Sequence, residues 1–202
     1  MKTLFLDIAS HAGHIACVTD DATVALTPID HRINDSALMP AVESTLKAAG
    51  WNYKDLTNIA VIVGPGGFTS LRMGVTLANV LADQLKIPAT GIHLSDVYHA
   101  RSGDGVAWMH STKKGALFIR TFGIKKSVRN EPTFISIEEL QANSQLLQAT
   151  FCGELIPEHR AVIDQLGIQE ASLRPIDEIL PAFLKTQSYS SDAVLPWYGR
   201  GW

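Results

Sequence analysis

A chain of 202 residues, 46% hydrophobic and 18% charged, has the composition of a folded protein, which excludes a disordered tether, and its length suits one domain of two lobes or two small domains. A formal net charge of -3 excludes a global field for nucleic acid, leaving only a local patch or a partner for such contacts. The opening residues reach Asp7 too soon for a signal peptide, and no stretch approaches the roughly 18 uncharged apolar residues of a membrane span, so a cytoplasmic protein is expected.

Residues 2–8 read as a strand with Leu4, Leu6 and Ile8 on one face and Phe5 on the other, so the strand is central and covered on both sides. Asp7 at its end needs a partner, a metal or water, unless it simply caps the following turn. Two more short strands follow, over 15–19 and 23–28, giving an antiparallel meander. His11 and His14 share the first turn without further ligands nearby, so they read as solvated turn residues and no metal site is expected. Cys17 and Cys152 lie in strand-like apolar surroundings and read as small buried hydrophobes. Asp35 and Ser36 supply a helix N-cap, and Leu38, Met39, Val42 and Leu46 recur on one helical face before Gly50.

The apolar run 59–63 predicts a buried parallel strand leading into Gly64-Pro65-Gly66-Gly67-Phe68-Thr69-Ser70. A glycine-rich turn that opens a helix is a place to hold an anion, with Asp7, Gly64, Gly66, Gly67 and Thr69 as candidate nucleotide or anion residues; it is equally a tight connection. It lacks the Gly-Lys-Ser/Thr of a Walker A loop and the third glycine of a dinucleotide fingerprint. The helix predicted over 68–85 is apolar on most sides. Leu71, Val75, Ala78, Ala82 and Leu85 form one face, while Met73, Leu77, Val80 and Leu81 cover much of the rest. Such a helix is buried within the fold or against a second chain, and a partner is the favoured expectation.

A short strand over 89–92 and a helix over 95–101 precede Ser102-Gly103-Asp104-Gly105, the strongest boundary signal, which divides the chain into lobes 1–102 and 103–202. Beyond it, 106–110 and 115–122 form a hairpin. Lys113, Lys114, Arg120, Lys125, Lys126 and Arg129 occur there with no acid between Ser111 and Asn130, a pattern suited to phosphate contact or to a solvated hairpin. A short helix after Ser136, a strand over 149–153, a helix over 157–166, a weak strand over 171–174 and a weak helix over 176–184 interrupted by Pro181 complete the second lobe. The tail ending Pro196-Trp197-Tyr198-Gly199-Arg200 is too aromatic for a linker and is expected to pack back.

Three meandering strands, then helix, strand, helix and strand, then a smaller α/β half, is the order of the actin-like ATPase (ribonuclease H-like) fold. Asp7-Ile8-Ala9-Ser10, the His31 region leading through Leu38-Met39-Pro40, Asp55-Leu56 before an apolar strand, the turn Gly64 through Gly74, and Ile87-Pro88 before Gly91 together resemble the TsaB (YeaZ) family of bacterial tRNA threonylcarbamoyladenosine biosynthesis proteins, once grouped with glycoprotease-like sequences. The likeness is close to about residue 100. Gly67 and Ser70 depart from the family's usual Gly-Pro-Gly-Ser-Phe-Thr-Gly. The resemblance implies a non-catalytic scaffold and activator subunit that pairs with a TsaD-like transferase and a TsaE-like ATPase, forms a homodimer through the same helices when alone, and meets tRNA mainly through the complex. It implies an interface on Leu38, Met39, Val42, Leu46, Leu71, Met73, Val75, Leu77, Ala78 and Leu81, and no intrinsic cofactor, with ATP or ADP at a partner interface; tRNA contact through the basic hairpin is a separate reading of its charge, as a nucleic-acid-binding module. The alternative is an enzyme in its own right, an actin-like nucleotide-binding phosphotransferase or a residual metallohydrolase.

Overall fold

The computed structural model describes residues 1–30, 33–124, 131–142 and 150–199, and these divide into two compact units. The first comprises Met1–Leu94 with Pro175–Tyr198, and the second Ser95–Arg174 with Gly199.

In the first unit, β1 (Lys2–Asp7), β2 (Ala12–Thr19) and β3 (Thr23–Asp30) form the antiparallel meander, while β4 (Asn58–Gly64) and β5 (Ala89–His93) extend the sheet in parallel on the other side of β1, giving the order β3-β2-β1-β4-β5. Consecutive apolar residues in β1 and β4 suit strands covered on both faces. Helices α1 (Asp35–Ala48) and α2 (Phe68–Leu85) share a core with Leu4, Leu6, Ile15, Ile59 and Val61. The α1 cap is Asn34, one residue before the expected pair; its Oδ1 accepts from Ala37 N at 2.8 Å, and Asp35 falls in the first turn, where the helix dipole favours an acid.

The second unit takes most of α3 (Leu94–Ser102) and builds a four-stranded sheet, β8-β7-β6-β9, from β6 (Val106–Lys113), β7 (Ala116–Phe122), β8 (Thr133–Ser136) and β9 (Thr150–Glu154). The β6–β7 hairpin is antiparallel and β9 joins β6 in parallel. Helices α4 (Ile137–Ala142) and α5 (Pro157–Gln165) contribute Leu140 and Ile163 to a core with Met109, Leu117 and Phe151.

Three expectations change here. The division lies near residue 94 rather than after 102, because Gly103 and Gly105, both at positive φ, only turn the chain between α3 and β6 within the second unit. Residues 171–174 form no strand; Glu170 makes a single bridge to Phe151. Helix α6 (Ile176–Lys185) runs unbroken through Pro181 and belongs with the first unit. Proline deprives the carbonyl four residues earlier of its helical donor, and that carbonyl, on Asp177, instead accepts from Thr23 Oγ1 at 2.7 Å.

Candidate functional site

The glycine turn sits beside the end of β1, as the topology predicts, but the neighbours that crowd it are parts of the same chain. Gly67 N donates to Ala9 O at 3.2 Å, and a Cβ on Gly66 would lie 2.5 Å from that same carbonyl. Gly64 has φ +147 and packs so closely under the Trp197 carbonyl that a side chain would collide with it. Both glycines therefore serve close backbone approach. Asp7, only 3% exposed, uses its carboxylate to close the next turn: Oδ1 accepts from Ala9 N at 3.3 Å and Ser10 N at 3.1 Å, and Oδ2 from Ser10 Oγ at 2.6 Å. This is the turn-capping role left open by the sequence. Gly67 and Thr69 are exposed, and Gly67 caps α2 without a side-chain hydrogen bond.

Helix α2 presents two apolar faces. Leu71, Val75 and Ala78 are at most 4% exposed and pack on the sheet with Leu38, Val42 and Leu46 of α1. These six residues, expected at a subunit interface, form the chain's own core: the i, i+4, i+7 row Leu71, Val75, Ala78 is the one the sheet covers. The outer rows differ. Phe68, Arg72, Thr76 and Val80 repeat every four residues on the far side, next to the row Thr69, Met73, Leu77. With Leu38 and Met39 of α1 they line an open, mainly apolar groove of about 490 Å³, with Asp35 at its α1 margin. Phe68 and Val80 are 59% and 51% exposed, Met39 is exposed, and Met73, Leu77 and Leu81 are half-buried. Of the ten expected interface residues, Met39, Met73, Leu77 and Leu81 thus keep surface. Phe68 and Val80 had to be added, and the four-residue spacing from Arg72 would have found them.

The basic hairpin is also divided. Arg120 is spent internally, since its Nη1 donates to Asp96 Oδ1 at 2.6 Å and Ser95 Oγ at 2.7 Å. That removes it from the expected tRNA contacts; a guanidinium whose Nη1 is held by a carboxylate and a hydroxyl of α3 is a strut of the second unit. Lys113 and Lys114 are exposed, and Lys114 lies 3.4 Å from Glu158. Lys125, Lys126 and Arg129, like His31 and Arg200, lie outside the described residues.

A serine–histidine pair that sequence spacing did not flag, Ser111 Oγ to His159 Nδ1 at 2.8 Å, is buried. His159 Nε2 donates to Lys114 O at 2.9 Å and Ser111 Oγ accepts from Ile156 N at 3.0 Å, so the pair ties the hairpin to the start of α5. Burial pushes the thiols of Cys17 and Cys152 up to about 11 and about 12. Among the described residues no group of three or more His, Cys, Asp or Glu is placed to hold a metal ion, and no helix is long and apolar enough to cross a membrane.

Residues 30–150 match the family described as TsaD, tRNA N6-adenosine threonylcarbamoyltransferase. A Bacillus subtilis (strain 168) protein, tRNA threonylcarbamoyladenosine biosynthesis protein TsaB, is 33% identical over 133 residues, which cover 58% of this chain and 58% of the relative. The Escherichia coli (strain K12) protein of the same name is 29% identical over 92 residues, 46% of this chain and 40% of the relative. The chain thus spans about half the length of the curated relatives it matches. In three dimensions it is similar to the crystal structure of an uncharacterized protein with similarity to peptidase YeaZ from Pseudomonas aeruginosa, with a TM-score of 0.69, 18% identity, and 98% and 99% of the two chains covered, which supports the two-sheet, actin-like α/β fold. Because the TsaD match extends over more than half of the chain, the chain belongs to the family that this match describes, and its curated relatives include proteins named TsaB.

Proposed function

We propose that this chain is a non-catalytic scaffold and activator subunit in the synthesis of N6-threonylcarbamoyladenosine in tRNA. It pairs with a TsaD-like transferase and works with a TsaE-like ATPase in the cytoplasm. The observation that carries this reading is the uncovered apolar groove between α1 and α2, where Phe68 and Val80 stand more than half exposed beside Met39, Met73 and Leu77. Contiguous apolar surface of that kind favours a protein partner, since covering each such side chain contributes roughly 1.5–3 kcal/mol at full burial. The names of the curated relatives supply the pathway.

In the absence of the transferase, a second copy of the chain occupies the same face. The groove carries one acid and one base, Asp35 and Arg72, a pairing that suits a two-fold arrangement. Nucleotide used by the assembly binds at a partner interface, and tRNA is held mainly by the complex, with Lys113 and Lys114 offering peripheral charge. The test is reconstitution: a TsaD-like transferase, a TsaE-like ATPase, tRNA and threonylcarbamoyl-adenylate are combined with and without this chain, and modified adenosine is measured by mass spectrometry. Formation only with the chain is expected. Equal formation without it would sink the reading.

A further inference from the structure

The stretch from Ser190 to Tyr198 lies across the first unit as a strap, and its contacts lead from the sheet edge to the head of the groove. Ser190 and Ala89 exchange backbone hydrogen bonds at 3.0 and 2.9 Å. Next, Val194 is gripped by the Asn79 side chain of α2, whose Oδ1 accepts from Val194 N and whose Nδ2 donates to Val194 O, both at 2.9 Å. This reciprocal pair imitates a strand ladder and fixes the strap's register on the helix. Trp197 N then donates to Val63 O at 2.7 Å, its carbonyl sits over Gly64, and its ring meets His93 edge-on at 4.4 Å. One residue later, the Tyr198 ring packs on Phe68 with centroids 5.2 Å apart and planes tilted by 33°.

Phe68 is the most exposed large apolar side chain at the groove, and the Arg72 guanidinium lies 5.3 Å from its ring centroid. A phenylalanine in the first turn of a helix, with more than half its surface in water, would exchange rotamers freely without a second ring beside it. We propose that Tyr198 is a positioning residue for partner recognition: carried to this place by the Asn79 and Trp197 anchors, it holds the Phe68 ring ready to receive the TsaD-like transferase. The inference rests on the reading of this face as the transferase's seat. Its physical content is pre-organisation, because a ring already ordered in the free chain costs less to immobilise on binding. The strap touches α2 at Asn79 and Phe68, eleven residues apart and therefore on one flank of the helix, so one backbone path joins the glycine turn, through Trp197 over Gly64, to the exposed ring that follows it.

The experiment titrates the full chain into a TsaD-like transferase by calorimetry and follows thermal unfolding of the free chain in parallel. Tyr198→Ala is expected to weaken binding about three- to tenfold while the free chain melts close to the wild type. Tyr198→Phe, which keeps the ring, should bind as the wild type does. Asn79→Ala, which removes one of the strap's two anchors without touching either ring, should weaken binding in the same direction, and it keeps the proposal testable if Tyr198→Ala does not fold. Equal loss in Tyr198→Phe and Tyr198→Ala would overturn the proposal by assigning the effect to the hydroxyl. Leu77→Glu separates the two levels of argument. If Leu77→Glu abolishes binding and both Tyr198→Ala and Asn79→Ala bind normally, positioning by the strap is wrong and the face is right. If Leu77→Glu binds normally, the reading of the face falls and the proposal with it.

Discussion

Towards its sheet, helix α2 presents Leu71, Val75 and Ala78, at 2%, 4% and 0% exposure; towards solvent it presents Phe68 and Val80, at 59% and 51%. Gly74, on the sheet side, lets the helix come close enough that a Cβ there would lie 3.2 Å from Ile8 Cγ1. Both faces carry large apolar side chains, the outer one interleaved with Thr69, Arg72 and Thr76, and those apolar side chains differ in what lies opposite. Hydrophobicity alone therefore identifies which residues seek cover, and only the fold tells which of them already have it. The family resemblance assigned one interface to both faces; the structure leaves six of its ten residues to the chain's own core.

The sharpest way to separate the faces is to place the same charge on each. Val75→Glu buries a carboxylate with no partner in the sheet-facing core and is expected to cost about 4 kcal/mol or more, enough to unfold much of the chain in equilibrium denaturation. Leu71→Ala, which only empties space there, should cost about 2–5 kcal/mol. Val80→Glu on the outer face should change stability by about 0.5 kcal/mol or less, yet weaken association with a TsaD-like transferase at least about tenfold by sedimentation velocity. A Val80→Glu chain as unstable as Val75→Glu would erase the distinction. At the small end lies Asp55, remote from both faces. The Asn52 backbone N–H, followed by Lys2, holds its carboxyl below the ordinary carboxylate value. A depressed folded-state pKa contributes stability above the unfolded value and loses it as the pH falls through the folded one, so Asp55→Asn should flatten acid unfolding slightly while leaving the neutral-pH transfer reaction unchanged.

Much of this was legible where local chemistry decides. The 68–85 helix was found because its period and the glycines before it are local signals, and the meander because tight turns separate short apolar runs. What was not legible depends on residues distant in the chain. Pro181 reads as an interruption until Thr23, from another strand, supplies a donor to the Asp177 carbonyl. Arg120 reads as a free cation until Asp96 on α3 meets it. Gly64 and Gly66 fit an anion cradle or a tight connection until the Trp197 and Ala9 carbonyls are seen in the space a side chain would need. The Gly103 and Gly105 turn was correctly read as a turn and wrongly as a domain edge, since turn residues mark a reversal of the chain and carry no information on which core lies beyond it.

The most direct measurement uses the chain's own silent thiols. Cys17 and Cys152 are buried, with pKa values pushed up to about 11 and about 12, so neither competes for a thiol reagent in the folded protein at neutral pH. Val80→Cys places one reactive thiol on the outer face of α2, and Asp21→Cys places one in the exposed β2–β3 turn as a reference. Maleimide labelling of each is then timed alone and in complex with a TsaD-like transferase. Slowing of at least about tenfold at position 80 with no change at position 21 is the predicted result. A formed complex in which position 80 labels as fast as in the free chain would show that the partner sits elsewhere.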